Sequence, residues 1–239
     1  IQDALAMLHQ YSELAVDIET GSLDFDKAGV ATICFSWNEH EGIAFACDYL
    51  PNANNEIDDD GFYGKLIPNP AVRVEIRKFL TEYKGETRYH NASYDVGILI
   101  YELWMEDLLD TAGLLDGLDI LTENMHDTKV ITYLATNSTA GNRLGLKENA
   151  HSFAGNYAED VKDIRKVALP ALLEYNLVDG LCTNWLFNRN YPIMVADEQL
   201  TIYNEQMMPS QKMIIQAELT GMPLDPKQIP IARAKLQMI

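Results

Sequence analysis

Two carboxylates stand two residues apart at the end of an apolar run: Asp17 and Glu19, after Leu14-Ala15-Val16. A third, Asp95, closes the segment His90-Asn91-Ala92-Ser93-Tyr94-Asp95, and Tyr175 and Asp179 form a Tyr-x-x-x-Asp pair. Carboxylate oxygens are the hard ligands that Mg²⁺ prefers. Two divalent ions held close together by such ligands can clamp the attacking and leaving oxygens of a phosphodiester. On an extended chain Asp17 and Glu19 share one side, with Ile18 facing the other way into the core. Carboxylates so close repel unless a cation lies between them. Asp179 shares a helix face with Leu172 and Leu186, where an unpaired charge is costly and a metal removes the difficulty. Each residue alone has a plainer reading. Asp17 and Glu19 could be strand-end acids facing solvent, Asp95 an acid favoured by a helix dipole with Asn91 as the cap, and Tyr175 and Asp179 an ordinary helix pair. The joint order and spacing favour the metal site.

These groups need elements to hold them. Residues 14–18 read as a buried strand, followed by strands at 30–37 and 42–47 around a hairpin turn at Asn38-Glu39-His40-Glu41. Residues 51–68 read as a loop, and Pro70 opens a helix to about Tyr83. A short strand at 87–90 leads into a helix from about Tyr94 to Leu103 with Asp95 in its first turn. The acidic, Leu-rich, Gly-broken stretch 105–126 takes no assignment. Asp127-Thr128 caps a helix to about Ala135, Asn137–Asn142 is a loop, and Leu144–Phe153 a short helix. A long helix over about 169–188 carries Tyr175 and Asp179 on one face, and another over about 195–219 ends at Gly221, which suits a C-cap. Strands first, then alternating β and α, predict an α/β fold with a mixed central sheet flanked by helices. The site is expected at the C-terminal ends of the strands.

With 47% apolar residues the chain can bury a real core, and no apolar run is long enough to span a bilayer. The start lacks a basic region and cleavage site, and the chain reads as a cytoplasmic segment cut from a longer protein. Cys34, Cys47 and Cys182 read as reduced core thiols. The net charge of −18 argues against a backbone-binding surface of Lys and Arg. Bound divalent ions would change the sign of the field locally, and a neighbouring domain could supply basic surface. His90, His126 and His151 lack paired spacing and read as structural; Arg143 and Lys147 are candidates for phosphate contact.

The order Asp-x-Glu, Asn-x-x-x-Asp, Tyr-x-x-x-Asp resembles the three exonuclease motifs of the DnaQ-like 3′–5′ exonucleases, in the tyrosine (DEDDy) subclass. The sister subclass has a His five residues before the last Asp; here that position is Glu174, and Tyr175 follows it. Asp17-Ile18-Glu19-Thr20-Gly21-Ser22-Leu23-Asp24 and Asn91-Ala92-Ser93-Tyr94-Asp95-Val96-Gly97-Ile98-Leu99 are similar to the first and second motifs of bacterial and phage family A DNA polymerases. Asp127-Thr128 with Ile131-Thr132-Tyr133-Leu134 resembles the helix between motifs two and three. Glu218-Leu219-Thr220-Gly221-Met222-Pro223-Leu224-Asp225 resembles the passage into the polymerase domain. Ile18 stands where many members have Thr, and 105–126 has no counterpart.

The resemblance implies an RNase H-like fold, with an exonuclease domain at 1–191 and a connecting helix and the start of the polymerase side at 192–239. It implies proofreading: hydrolysis of the 3′-terminal phosphodiester of single-stranded or frayed DNA with two divalent ions, Mg²⁺ or Mn²⁺. Asp17, Glu19, Asp95 and Asp179 would be metal ligands, and Tyr175 would orient the attacking water, since a phenol is a poor base at neutral pH. Thr20, Leu23 and Asn91 would touch substrate, Leu23 by wedging against the terminal bases; its alternative is core packing. The partners implied are a single-stranded 3′ end and a polymerase domain of the same parent chain, in a monomer in a bacterial or phage-infected cytoplasm. An RNase D-like RNA exonuclease shares the same acids and tyrosine, and a catalytically idle scaffold is the non-enzyme alternative.

Overall fold

The computed structural model describes residues 1–136, 143–157, 161, 163–222 and 226–237. The chain opens with α1 (Gln2–Leu8), β1 (Glu13–Glu19), the short α2 (Phe25–Ala28), β2 (Thr32–Ser36) and β3 (Gly42–Ala46). Next come β4 (Tyr49–Pro51), β5 (Gly64–Leu66), α3 (Pro70–Glu82), β6 (Glu86–Tyr89) and α4 (Ala92–Leu103). Then follow α5 (Thr111–Thr122), β7 (Met125–Asp127), α6 (Thr128–Thr136), α7 (Leu146–Ala154) and the long α8 (Leu169–Ala196). The chain continues through α9 (Leu200–Ile202), α10 (Met208–Thr220) and α11 (Gln228–Leu236).

The main sheet has the order β3-β2-β1-β6-β7. β2 runs antiparallel to both β1 and β3, while β6 and β7 run parallel to β1. The β-branched and apolar residues of β1 and β2 suit strands covered on both faces: Leu14, Val16, Ile33 and Phe35 are all buried. β1, β6 and β7 therefore end on the same edge, and α4 and α6 start directly from the last two. That edge is where open α/β sheets place ligands. α8 packs across β1, β2 and β3. Gly180 permits its close approach, since a Cβ there would lie 2.7 Å from the Cys34 sulfur. No helix among the described residues is long and apolar enough to cross a membrane.

Several expectations need correction. The 51–68 stretch is not all loop: β4 and β5 pair as a small antiparallel sheet. Strands of three residues carry no periodicity to read. The unassigned 105–126 region holds α5, capped by the Asp110 side chain accepting from Gly113 N–H at 2.9 Å, and reaches into β7. Gly117 is no breaker there, because the indole of Trp104 packs 3.0 Å from where its Cβ would stand. α8 runs to Ala196 with Pro192 inside it. The expected 195–219 helix is interrupted: a turn at Asp197, with Glu198 at φ +59°, precedes α9, and a wide π-type turn over Tyr203–Met207 precedes α10. No Gly or Pro marks that turn. Gly221 ends α10 at φ +64°, a conformation open to glycine. Asn137–Asn142 and Pro223–Asp225 lie outside the described residues.

A buried ion cluster braces the sheet from behind. Arg73 on α3 donates to Asp48 from Nε at 2.9 Å and from Nη2 at 2.6 Å, and its Nη2 lies 2.7 Å from Glu102 on α4. Asp48 also accepts from Val30 N–H and Asn69 N–H. Leaving any member of such a network unpaired would be costly.

Candidate active site

Asp17 and Glu19 leave β1 on one side while Ile18 points into the core, 5% exposed. Asp179, from the middle of α8, comes to meet them. One carboxylate oxygen from each of the three lies within 4.8 Å of the others. Asp95, in the first turn of α4, is buried behind β1 and accepts from Ile18 N–H at 3.2 Å. The structure thus brings together the acids predicted from sequence, with Asp95 seated against the strand that carries the first pair.

Burial and the charges of neighbouring acids raise Asp17, Glu19 and Asp95. Asp17 is held well above the usual carboxylate range by burial first, then by the charges of Asp95, Asp179 and Glu19. Burial, with the charges of Asp179 and Asp95, pushes Glu19 up to about 8, and burial pushes Asp95 up to about 8. Oxygen donors gathered at this distance, and resisting ionisation without a cation, fit a hard divalent ion. Between about pH 7 and pH 8 the metal-free folded protein holds carboxyl protons that the unfolded chain has released, so its stability falls as pH rises. His90 and His126, both lowered to about 4 by burial, stay neutral in this window. Melting in a chelator is expected at a lower temperature at the upper pH, with Mg²⁺ restoring more there than at the lower. A midpoint that held or rose would contradict a repulsive buried cluster.

Tyr175 lies on the same α8 face, one turn before Asp179. Its hydroxyl accepts from Lys147 Nζ at 2.6 Å, and that ammonium stands 4.7 Å from the ring centroid. An ammonium can only donate, so the direction of this bond is fixed and the phenol proton is directed elsewhere. Burial, with the Asp179 charge, raises the Tyr175 phenol, which keeps it protonated. Sequence reasoning placed Lys147 near phosphate and missed its contact with Tyr175. It missed Tyr157 altogether: the Tyr157 hydroxyl donates to Asp179 Oδ1 in a short contact. Nothing in the spacing of residues 157 and 179 signals that.

Thr20 Oγ1 is hydrogen-bonded to the Tyr94 hydroxyl at 2.5 Å. Leu23 is 87% exposed, which removes its core-packing alternative. It stands at the rim of a cleft of about 450 Å³ lined also by Phe25, Asn91, Tyr94 and Leu219. Asn91 occupies the N-cap position of α4 in a left-handed conformation, but its side chain makes no cap; it accepts from Lys129 Nζ at 3.0 Å. The capping falls to Asp127, which accepts from the N–H groups of Asn91, Ala92 and Lys129. His90 and His126 are structural, bonded to Thr128 and Leu144 and to Tyr203 respectively. Arg143 is exposed and pairs with Glu148 at 3.5 Å. The three cysteines are free and buried.

No family model and no curated protein matches this chain. Solved structures do. NrnC from Brucella melitensis with bound Mg²⁺ aligns over 88% of this chain and 85% of its own, at 17% identity and a TM-score of 0.57. The same protein bound to pGG gives 15% identity over 86% and 85%, with the same score. The POL domain of Pol1 from M. smegmatis, in complex with DNA primer-template and dNTP, covers 98% of this chain but only 34% of its own, at 14% identity and a TM-score of 0.61. The catalytic core of RRP6 from Trypanosoma brucei covers 98% and 55%, at 14% identity and 0.53. At these identities the likeness is one of fold: a mixed five-stranded sheet flanked by helices, in an RNase H-like arrangement.

Proposed function

We propose that this chain is a 3′–5′ exonuclease that removes terminal nucleotides from single-stranded or frayed DNA, as the proofreading domain of a family A DNA polymerase. The observation that carries the nuclease reading is the convergence of Asp17, Glu19 and Asp179 within 4.8 Å at the C-terminal edge of the sheet. These three, with Asp95 behind them, would hold the divalent ions. Such ions supply charge for the scissile phosphodiester and lower the pKa of the attacking water. Tyr175, kept neutral by burial and directed by Lys147, donates its phenol proton in a hydrogen bond to that water. Water attacks phosphorus, the bond to the 3′-oxygen breaks, and the proton ends on that oxygen. The products are a nucleoside 5′-monophosphate and a strand shorter by one residue.

The cleft beside Leu23 and Phe25 receives the terminal base, and only an unstacked end reaches it. The polymerase assignment is supported by the motifs around Asp17 and Asp95 and by the Glu218–Asp225 sequence segment. A second reading, an RNase D-like exonuclease for RNA, uses the same acids and tyrosine, so the substrate decides. With Mg²⁺ or Mn²⁺, a 5′-labelled single-stranded DNA is expected to shorten stepwise from its 3′ end, and faster than the matched RNA. Faster loss of the RNA would move the assignment to the second reading. Internal cuts, or products unaffected by chelation, would remove the exonuclease reading itself. With a net charge of −18, binding of the strand is expected to depend on divalent ion and on a free 3′ end more than on length.

A further inference from the structure

Behind the acidic cluster lies a polar chain that the reaction, as described, does not use. Asn176, next to Tyr175 on α8, is fully buried. Its Nδ2 donates to Asp17 Oδ2 at 2.7 Å, and its Oδ1 accepts from Thr32 Oγ1, itself fully buried on β2, at 3.0 Å. Once a cation has ionised Asp17, that carboxylate only accepts, so the amide must turn its NH₂ to Asp17 and its carbonyl to Thr32, as it does here. That orientation in turn makes the threonine hydroxyl a donor. Both ends of the amide are thereby committed, and Cys34 Sγ donates to the Asn176 backbone carbonyl at 3.1 Å, fixing the helix to the strand at this point.

We propose that Asn176, oriented by Thr32, is the positioning residue for Asp17, holding one carboxylate oxygen so that the other is presented to a divalent ion shared with Glu19 and Asp179. The inference rests on the metal-site reading of the proposed function. The carboxylate alone has rotational freedom at its end, and a ligand that must be ordered at the moment of binding loses affinity. Partners behind a metal ligand, each holding one of its atoms, are commonly worth 10- to 100-fold in metal affinity. The hydrogen bond also favours the ionised form of Asp17, opposing the burial that raises it. Tyr175, one step before Asn176 on the helix, meets Lys147 on α7, while Asn176 meets Asp17 on β1 and Thr32 on β2, so consecutive helix positions serve different neighbours of the acidic cluster.

Titration calorimetry with Mn²⁺ on the full chain tests this. Asn176→Leu is expected to weaken Mn²⁺ binding by about 10-fold or more. Thr32→Val, which keeps the shape and loses the donor, should weaken it less, and Thr32→Ser should match the wild type. The double variant should be no weaker than Asn176→Leu alone, because the hydroxyl acts only through the amide. Wild-type affinity in Asn176→Leu, or losses that multiply in the double variant, would overturn the proposal. If Asn176→Leu does not fold, Thr32→Val decides, and unchanged affinity there overturns it. A wild type that binds Mn²⁺ yet cleaves no nucleic acid would defeat the nuclease reading and leave this one standing. A wild type that binds no divalent ion would defeat both.

Discussion

Asp17→Ala is expected to slow hydrolysis of a single-stranded 3′ end by about 10³-fold or more, since the ion it helps to hold supplies several kcal/mol at the transition state. Asp17 is the acid most central to the cluster: the charges of Asp95, Asp179 and Glu19 all act on it. Its loss removes a ligand and at the same time relieves repulsion among the remaining acids. The metal-free variant should therefore be no less stable than the wild type near pH 8, even though Asn176 Nδ2 loses its acceptor. An unpaired buried donor costs about 1–3 kcal/mol. Ionising a buried carboxyl among three others opposes folding with comparable strength, so the two changes offset. Single-turnover digestion of a 5′-labelled oligonucleotide, with melting in a chelator alongside, checks both halves. Substantial Mg²⁺-dependent activity in Asp17→Ala would remove Asp17 from the centre of the site.

The acids of the site were legible in the sequence for a physical reason. Two carboxylates on one side of a strand end, and another on an apolar helix face, are unfavourable without a partner, and the pattern is local. The groups that hold them were not legible. Asn176 reaches Asp17 across 159 residues, and Tyr157 reaches Asp179 across 22. Such contacts exist only once α8 lies across the sheet. The same division runs through the fold. β1, β2, β3, α3 and α4 announce themselves by apolar period, by Asn69 and Pro70 at a helix start, or by the Asn38 turn, whose side chain accepts from His40 N–H and Glu41 N–H. β4, β5 and β7 are three residues each and borrow their order from neighbours. α5 was hidden by Gly113 and Gly117, which local propensity counts against a helix. Packing against Trp104 reverses that judgement: a Cβ at Gly113 would run into the Trp104 carbonyl oxygen, where there is no room, and one at Gly117 would sit tightly at 3.0 Å from the indole.

Asp127→Ala is expected to destabilise the protein by about 3–5 kcal/mol, a loss typical of a buried charged group removed from its partners. Asp127 stands outside the cluster of Asp17, Glu19 and Asp179, although its charge acts on Asp95, and it ties two helix starts to the end of β7. Its Oδ1 accepts from Asn91 N–H at 3.1 Å and from Lys129 N–H at 2.8 Å, and its Oδ2 from Ala92 N–H at 3.0 Å. Burial outweighs those bonds and raises its carboxyl, so the group is costly to keep; the N–H groups left without it are costlier still. Asn91 cannot take over, because its side chain is committed to Lys129. For a chain of this size the loss corresponds to a fall of roughly 10 °C or more in Tm. Asp127→Asn keeps one carboxamide oxygen as acceptor and should recover part of it. The effect then passes to the site: α4 carries Asp95 in its first turn, and Asp95 holds Ile18 N–H between Asp17 and Glu19. At a temperature where the variant is still folded, Asp127→Ala should therefore lose Mn²⁺ affinity as well. A variant that melts within about 1 kcal/mol of the wild type would show that the start of α4 is held by packing of Ala92 and Val96 rather than by this carboxylate.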